Sequence, residues 1–389
     1  MGYGKKQKIG APDMLIRNAA VYNGRDFDRE TDVRLLDGRI AETGKNLRPE
    51  AGEAVADLDG DFLLPGFVDV HIHAFGGRDT MQGEEAVRAM SRELLKLGVA
   101  AFCPTTMSAD PAETRRAIEG IRAVMDRPET EGARVLGAHM EAPFLQESKA
   151  GAQRKEFFTD PSMEKLETLT GGDLSAVKLI TAAPEREGSE DFIRQATAAG
   201  IRVSVGHTAA TAEQTHRAAD WGADHVTHTF NAQTPLHHRE PGVPGAALTD
   251  ERFYCEMICD GIHLHRDAVR LLALCKGPDR AVAITDAMEA AGLPEGEYAL
   301  GGQKVFVKNG EARLADGTLA GSVLTMQKAL ENLIHLFGIR PEDACAMCTR
   351  TPAASVGEKL AGSILPGAPG VLTRWSADWK ITDVLTGKG

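Results

Sequence analysis

The sequence predicts an α/β protein, with a (β/α)8 TIM-type barrel and a small β-sandwich domain formed by both chain termini. The first observation is that the middle of the chain alternates short apolar runs with segments of helical periodicity, a pattern typical of a parallel barrel. The second is that both ends carry only short alternating runs separated by turns. The third is length: 389 residues exceed the roughly 250 of a single barrel. An open doubly wound sheet is the alternative fold.

Eight apolar runs in the middle of the chain have the length and composition of buried strands. They span residues 66–73, 99–105, 133–141, 176–185, 201–207, 224–231, 253–261 and 281–287. Most of them end in a residue that can take part in chemistry. Because the carboxyl ends of barrel strands form the active-site face, we expect these residues to converge.

Helical patterns lie between most of these runs. Residues 84–98 place apolar side chains at helical spacing. Asp110 followed by Pro111 predicts a helix N-cap with proline in the first turn. Thr211 and Gln214 have the spacing of a capping box at the start of another helix.

The two ends of the chain resemble each other in composition. Residues 14–66 and 362–387 alternate apolar and polar side chains and are interrupted by Asn-Gly, Asp-Gly and Pro-Gly pairs. We therefore expect one small β domain made of residues 1–64 together with 362–389. Residues 65–361 would form the catalytic barrel.

Charge and composition exclude several classes of partner. The formal net charge of -12 argues against nucleic acid or an anionic membrane, although a few local cations could still hold a small anion. No apolar run approaches the roughly 20 residues of a membrane span. Residues 1–10 lack the apolar stretch of a signal peptide. Cys345 and Cys348 form a lone C-x-x-C, which predicts buried free thiols more than a zinc site, so a reducing, cytoplasmic setting is expected.

His71 and His73 are the first candidates for a metal site. Residues i and i+2 of a strand point to the same side, so both imidazoles can approach one ion. An H-x-H pair alone is more often structural. Its position at the end of the first barrel run favours metal binding.

Glu141, His207 and His228 end three further runs. Two imidazoles and a carboxylate suit zinc or iron(II) and would leave a position open for water. Taken singly, Glu141 could be a salt-bridged or exposed loop glutamate, and each histidine could be structural. His139 is expected to support the site, while His216 and His225 are expected to lie outside it.

Asp286 closes the eighth run. A carboxylate there could take a proton from an activated water and pass it to a leaving amine. The structural alternative is a helix N-cap.

Several stretches together resemble the amidohydrolase superfamily and, within it, the N-acetylglucosamine-6-phosphate deacetylases. The resemblance runs nearly end to end, and it rests on LPGFVDVHIHAFGG, GAHMEAPFL, KAGAQ, SVGHTAAT, THTFNAQTPLHHREPGVPGAAL, ICDGIHLH, ITDAMEAAG and LAGSVLTM. The first is shared across the superfamily. THTFNAQ with REPG, DGIH and LAGS is more specific to the deacetylases.

The resemblance implies roles for individual residues. Glu141, His207 and His228 would hold the main divalent metal, and His71 and His73 would help to hold a second where one is present. The other implied roles are Asp286 as general base and then acid, His263 as a contact to the sugar and the acetyl carbonyl, Asn231 and Ala232 as donors to the phosphate, Arg239 as a phosphate ligand across a homodimer interface, and Ala152 with Leu319, Ala320, Gly321 and Ser322 as pocket lining.

Four residues depart from the family pattern. Gln153 stands where some members have histidine, and Phe230, Gln233 and Ala142 differ from the usual residues. None of them is an implied metal ligand.

The expected activity is metal-dependent hydrolysis of the N-acetyl group of N-acetylglucosamine 6-phosphate, with one or two ions per subunit and zinc as the leading metal. The same reaction on N-acetylgalactosamine 6-phosphate and hydrolysis of another amide or cyclic amide are alternatives. A metal-binding scaffold without catalysis is disfavoured, because Asp286 accompanies the ligand set.

Overall fold

The computed structural model describes residues 13–386. Eight parallel strands, β1 to β8 in chain order, form the barrel: Phe67–Ile72, Val99–Thr106, Ala138–Phe144, Val177–Ala182, Arg202–Val205, His225–Val226, Tyr254–Ile258 and Ala281–Ile284. Each pairs in parallel with the next. They coincide with the eight apolar runs, so the predicted barrel is confirmed.

The barrel closes between β8 and β1 through a short seam. The Asp286 N–H donates to the His71 carbonyl oxygen over 2.8 Å, and the His73 N–H donates to the Ala287 carbonyl oxygen over 3.0 Å. Beneath them, the Asp69 carboxylate accepts the Thr285 hydroxyl at 2.6 Å. The predicted active-site face is therefore also where the two ends of the sheet are joined.

Eight helices, α1 to α8, surround the strands: Glu84–Lys96, Pro111–Asp126, Met163–Thr170, Ser189–Ala198, Ala212–Trp221, Gly242–Thr249, Arg266–Arg280 and Met326–His335. Asp110 caps α2 by accepting the Ala112 N–H, with Pro111 in the first turn. Thr211 and Gln214 form the predicted capping box of α5. Two further helices, Pro341–Cys348 and Arg350–Ser355, close the outer layer. Cys345 and Cys348 are buried free thiols, as predicted.

Both ends of the chain build the small β domain. One sheet consists of Met14–Arg17, Asp32–Leu36, Arg39–Gly44 and Ala54–Asp57, and the other of Ala20–Tyr22, Phe27–Asp28, Phe62–Pro65, Val371–Trp375 and Ile381–Thr386. Leu15 is buried in the first sheet. Ile16, Val33 and Leu372 share one apolar cluster from the two sheets. The predicted sandwich is thus confirmed, while its boundaries after residue 64 and before residue 362 stay predictions.

One element has no counterpart among the sequence predictions. A three-stranded antiparallel sheet, Gly296–Leu300, Gln303–Lys308 and Glu311–Arg313, follows β8. Leu300 and Val305 from this sheet pack with Met107 and Met288. It therefore lies against the strand-end face of the barrel.

Shorter elements lie in the loops: strands Ala74–Phe75, Arg78–Asp79 and Arg134–Val135, and 3-10 helices Thr80–Gln82, Glu147–Lys149 and Lys155–Phe157. In residues 13–386, none of the helices combines the length and apolar character needed to cross a bilayer. Residues 1–10, where no signal peptide is expected, lie outside the described part of the chain.

Candidate metal centre and substrate cavity

The six residues predicted to converge do so at the carboxyl ends of the strands. They lie in or within two residues of five barrel strands: His71 and His73 at β1, Glu141 in β3, His207 after β5, His228 after β6 and Asp286 after β8. All six are buried.

Glu141, His207 and His228 form the first group. The Nε2 atoms of His207 and His228 lie 3.2 and 3.0 Å from Glu141 Oε1, and 3.1 Å from each other. All three ligand atoms fall within 4.8 Å of one another, the spacing of a shared metal ion.

His71, His73 and Asp286 form the second group. His73 Nε2 lies 3.2 Å from Asp286 Oδ1 and 3.2 Å from Glu141 Oε2. His71 Nε2 lies 3.6 Å from the same Asp286 oxygen. Glu141 therefore contacts the first group and His71 with Oε1, at 3.4 Å for His71 Nε2, and contacts His73 with Oε2.

The ring orientations suit a cation between these side chains. His207 Nδ1 lies 2.8 Å from the Lys149 carbonyl oxygen, and His73 Nδ1 lies 3.3 Å from that of Thr105. Nδ1 must be the donor in both contacts, so a neutral ring directs its Nε2 lone pair at the centre. Imidazole lone pairs and carboxylate oxygens that meet in this way repel one another, and a divalent metal between them could supply the compensating positive charge.

The pKa values of the site residues reflect the same close approach of histidines and carboxylates. Burial lowers the pKa values of His71 and His73, but Glu141 and Asp286 outweigh it and raise them to about 9 and about 10. Burial favours neutral carboxyls at Glu141 and Asp286, yet the neighbouring histidines bring both pKa values below their ordinary range. The site thus favours a positive charge at its centre.

Three of the six residues have a left-handed backbone. The φ values are 45° at His207, 27° at His228 and 49° at Asp286, a region that costs non-glycine residues free energy. Asp286 is held there by its bond to His71 and by the Ser322 N–H, which donates to its carbonyl oxygen over 2.7 Å. The strained backbone turns these side chains from the strand direction into the site.

Two glycines permit this close packing. A Cβ at Gly206 would lie 2.6 Å from Thr227 Cβ, and one at Gly321 would lie 3.0 Å from the Asp286 carbonyl oxygen. Gly321 also has a φ of 64°, which favours glycine.

A cavity of about 450 Å³ opens above both groups. Its lining includes six residues predicted to bind substrate: Ala152, Asn231, Ala232, His263, Leu319 and Gly321. Within His263, Nδ1 lies 2.6 Å from Asp260 Oδ2. The carboxylate therefore orients this ring.

Three predicted residues lie away from the cavity lining. Ala320 packs into the apolar cluster under the three-stranded sheet, and the Ser322 hydroxyl donates to the Thr285 carbonyl oxygen over 2.6 Å. The Arg239 guanidinium is exposed and lies 2.7 Å from His238 Nε2. Within the described residues, Arg239 therefore lies outside the lining of this cavity.

His139, His216 and His225 lie where the sequence analysis expected them, whereas the structural alternative for Asp286 is wrong. His139 supports the site from below, with Nε2 at 2.9 Å from the Thr181 hydroxyl and its ring against His71. His216 and His225 each pair with an aspartate and do not line the cavity. The helix N-cap alternative for Asp286 is wrong, because no helix begins there.

Lys149, Arg313 and Glu256 received no role from the sequence reasoning, and Gln153 was noted only as a departure from the family pattern. Lys149 and Arg313 line the cavity, and Gln153 donates its amide to Glu141 Oε2 over 2.5 Å. Glu256 lies beneath the histidines, 3.0 Å from His71 Nδ1. A charged residue inside the apolar run FYCEMICDG was the signal for Glu256, and KAGAQ was the signal for Lys149. Arg313 had none, because its sheet was not predicted.

Comparisons with known proteins agree with this architecture. Residues 62–386 match the model of the amidohydrolase family. N-acetylglucosamine-6-phosphate deacetylase of Lysinibacillus sphaericus is 36% identical over 91% of this chain and 91% of its own. N-acetylgalactosamine-6-phosphate deacetylase of Escherichia coli O157:H7 is 37% identical over 86% of this chain and 88% of its own.

Among solved structures, the D267A mutant of the N-acetyl-D-glucosamine-6-phosphate deacetylase from Mycobacterium smegmatis, in complex with N-acetyl-D-glucosamine-6-phosphate, superposes with a TM-score of 0.88. It is 30% identical, and the match covers 97% of this chain and 98% of that one. The family match and these relatives show that the chain belongs to the amidohydrolase family, in the group that includes the N-acetylglucosamine-6-phosphate deacetylases.

Proposed function

We propose that this protein hydrolyses the N-acetyl group of N-acetylglucosamine 6-phosphate, giving glucosamine 6-phosphate and acetate in amino-sugar catabolism. The observation that carries the proposal is that Asp286, with His71 and His73, lies next to the Glu141, His207 and His228 group at the base of a cavity large enough for a sugar phosphate. The names of the relatives supply the substrate class.

Glu141, His207 and His228 would hold the main divalent ion, and His71 and His73 would help to hold a second. Zinc is the leading candidate, and iron(II) also suits imidazole and carboxylate ligands. When bound, the metal would polarise the amide carbonyl and lower the pKa of a water molecule toward about 7.

Asp286 would move the proton between water and the leaving amine. In the metal-free site, His71 and His73 outweigh the effect of burial and keep the pKa of Asp286 below its ordinary value. A bound divalent ion would also favour the ionised carboxylate. Asp286 can therefore accept a proton from the attacking water and then donate it to the amine nitrogen. His263, supported by Asp260, would contact the acetyl oxygen, where negative charge develops.

The phosphate end would lie at Asn231 and Ala232, with Arg239 supplied by the second protomer of a homodimer. The exposed position of Arg239 on its own protomer supports that arrangement. Binding energy from a remote phosphate can be used to orient the reacting amide. A cytoplasmic location is part of the proposal, supported by the buried free thiols.

A second candidate is the same reaction on N-acetylgalactosamine 6-phosphate. The observation that favours it is the similarity to the Escherichia coli O157:H7 enzyme of that name. The two substrates differ in the orientation of one hydroxyl group. Direct competition between them would decide which one the cavity prefers.

The test is acetate release from both phosphorylated sugars and from unphosphorylated N-acetylglucosamine, after metal removal and after zinc is restored. We expect zinc-dependent turnover of N-acetylglucosamine 6-phosphate in preference to the other two. Preferential turnover of the galactosamine derivative would establish the second candidate. Metal-bound protein that releases no acetate would refute the deacetylase proposal and favour another amide.

A further inference from the structure

Glu256 is a fully buried carboxylate on β7, beneath the two histidine groups. It makes no ion pair with lysine or arginine in residues 13–386, although a buried carboxylate is costly without compensation. Its Oε2 atom instead receives two contacts, from His71 Nδ1 at 3.0 Å and from the His228 N–H at 3.1 Å. One oxygen thus contacts one residue from each group.

The contact with His71 determines how that ring presents itself. A carboxylate opposite Nδ1 keeps the proton on Nδ1, so the Nε2 lone pair of the neutral ring faces the site. There, Nε2 lies 3.4 Å from Glu141 Oε1 and 3.6 Å from Asp286 Oδ1. Without Glu256, the ring would lose both its preferred tautomer and its orientation.

The contact with His228 acts on the backbone. His228 has a φ of 27°, which is unfavourable for a side chain of its size. The hydrogen bond from its N–H to Glu256 helps to hold this conformation. In that conformation, His228 Nε2 lies 3.0 Å from Glu141 Oε1. The same carboxylate therefore controls where the His228 imidazole points.

We propose that Glu256 is a positioning residue that joins the two metal-binding groups through a single carboxylate oxygen. It fixes the tautomer of His71 and the strained backbone of His228 together, so that both rings face Glu141. This inference rests on the metal centre proposed above.

The experiment measures zinc dissociation constants by competition with a chromophoric chelator, with no substrate present. Removing a hydrogen-bond partner of a metal-binding histidine typically weakens metal binding by about 10- to 100-fold. We expect Glu256→Leu to show a loss of this size. Glu256→Gln should recover most of it, because the amide oxygen can accept the same two N–H groups.

Ser204→Ala is the matched control. Its hydroxyl is fully buried and lies 2.6 Å from the Thr227 hydroxyl, but it contacts no histidine of the site. Thermal unfolding of each metal-free variant separates stability from affinity. We expect Ser204→Ala to lower the melting temperature and leave zinc affinity unchanged.

Equal zinc affinity in wild type and Glu256→Leu would overturn the inference. The inference would also be overturned if Glu256→Gln bound zinc as weakly as Glu256→Leu. In that case, accepting the two N–H groups would not be what maintains zinc affinity. The deacetylase proposal is decided separately by acetate release, whereas this inference depends on metal affinity alone.

Discussion

The main-chain N–H of Asp286 donates to the carbonyl oxygen of His71 across the seam that closes the barrel, over 2.8 Å. The proposed general base and the first histidine of the H-x-H pair are therefore fixed to each other by backbone. His71 Nε2 and Asp286 Oδ1 lie 3.6 Å apart, and neither side chain depends on a flexible loop for its position. The seam thus gives the site a rigid geometry, which favours preorganised catalysis.

Asp286→Asn should reduce turnover by about 10²- to 10⁴-fold, because the amide cannot exchange a proton with water and amine. Asparagine tolerates the local φ of 49°, so the fold should persist. Acetate release and bound zinc should be measured on the same sample. Wild-type turnover with full zinc content would exclude the proposed role.

Zinc affinity should rise with pH between about 7 and 9. At pH 7, the metal-free site holds protons on His71 and His73, because their pKa values are about 9 and about 10. Zinc must displace these protons, so fewer competing protons mean tighter binding. Calorimetry in two buffers with different protonation enthalpies measures the release. His73→Asn should release fewer protons, and a release unchanged from wild type would contradict this explanation.

Gln153→Leu should weaken zinc binding by about tenfold, because Glu141 Oε2 would lose its buried donor. The amide is oriented by the Ser108 N–H, which donates to Gln153 Oε1 over 2.7 Å. Ser108→Ala keeps that backbone donor and is the matched control. Chelator competition on both variants is the measurement, and equal affinity in the two would refute the proposed support of Glu141.

We expect the Lys149 ammonium group to donate a charge-assisted hydrogen bond to the phosphate of the substrate. Lys149→Met should therefore raise KM for N-acetylglucosamine 6-phosphate by about 10- to 100-fold. Lys149 lines the cavity, and its Nζ lies 2.9 Å from the Gln233 carbonyl oxygen, next to Asn231 and Ala232. The unphosphorylated sugar should be affected far less. An equal loss on both sugars would mean that Lys149 holds the loop and not the phosphate.

Lys165→Met is the control for this variant. Its ammonium group also donates to a backbone carbonyl, that of Asp160 over 2.9 Å. Lys165 lines a separate cavity of about 350 Å³. Kinetics with the phosphorylated sugar should therefore match wild type.

Local sequence patterns were sufficient to predict the barrel and the six strand-end residues of the two metal-binding groups, whereas the expected substrate contacts came from the family resemblance. The eight runs predicted the strands because apolar segments of that length must be buried, and α/β alternation leaves few ways to do so. Helix capping at Asp110 and Thr211 depends on residues a few positions apart, so it could also be predicted from the sequence. Asp286 and the histidines were found because each ends a strand run.

The residues that were missed depend on contacts distant in the sequence. Glu256 lies 185 positions from His71, and Gln153 lies 45 positions from Ser108. Arg313 reaches the cavity only because its three-stranded sheet packs on Met107 and Met288. Nothing in the local pattern of these segments specifies such partners.

The sequence by itself determined the fold class, the order of the eight barrel strands, and the six polar residues carried to one end of the barrel. It did so because hydrophobic periodicity and turn chemistry are local properties. Tertiary structure alone decided that Glu141 faces both histidine groups and that Leu319 and Gly321, but not Ala320 and Ser322, line the cavity. These outcomes depend on side-chain direction and on the left-handed backbone at His207, His228 and Asp286, which barrel closure and long-range hydrogen bonds impose.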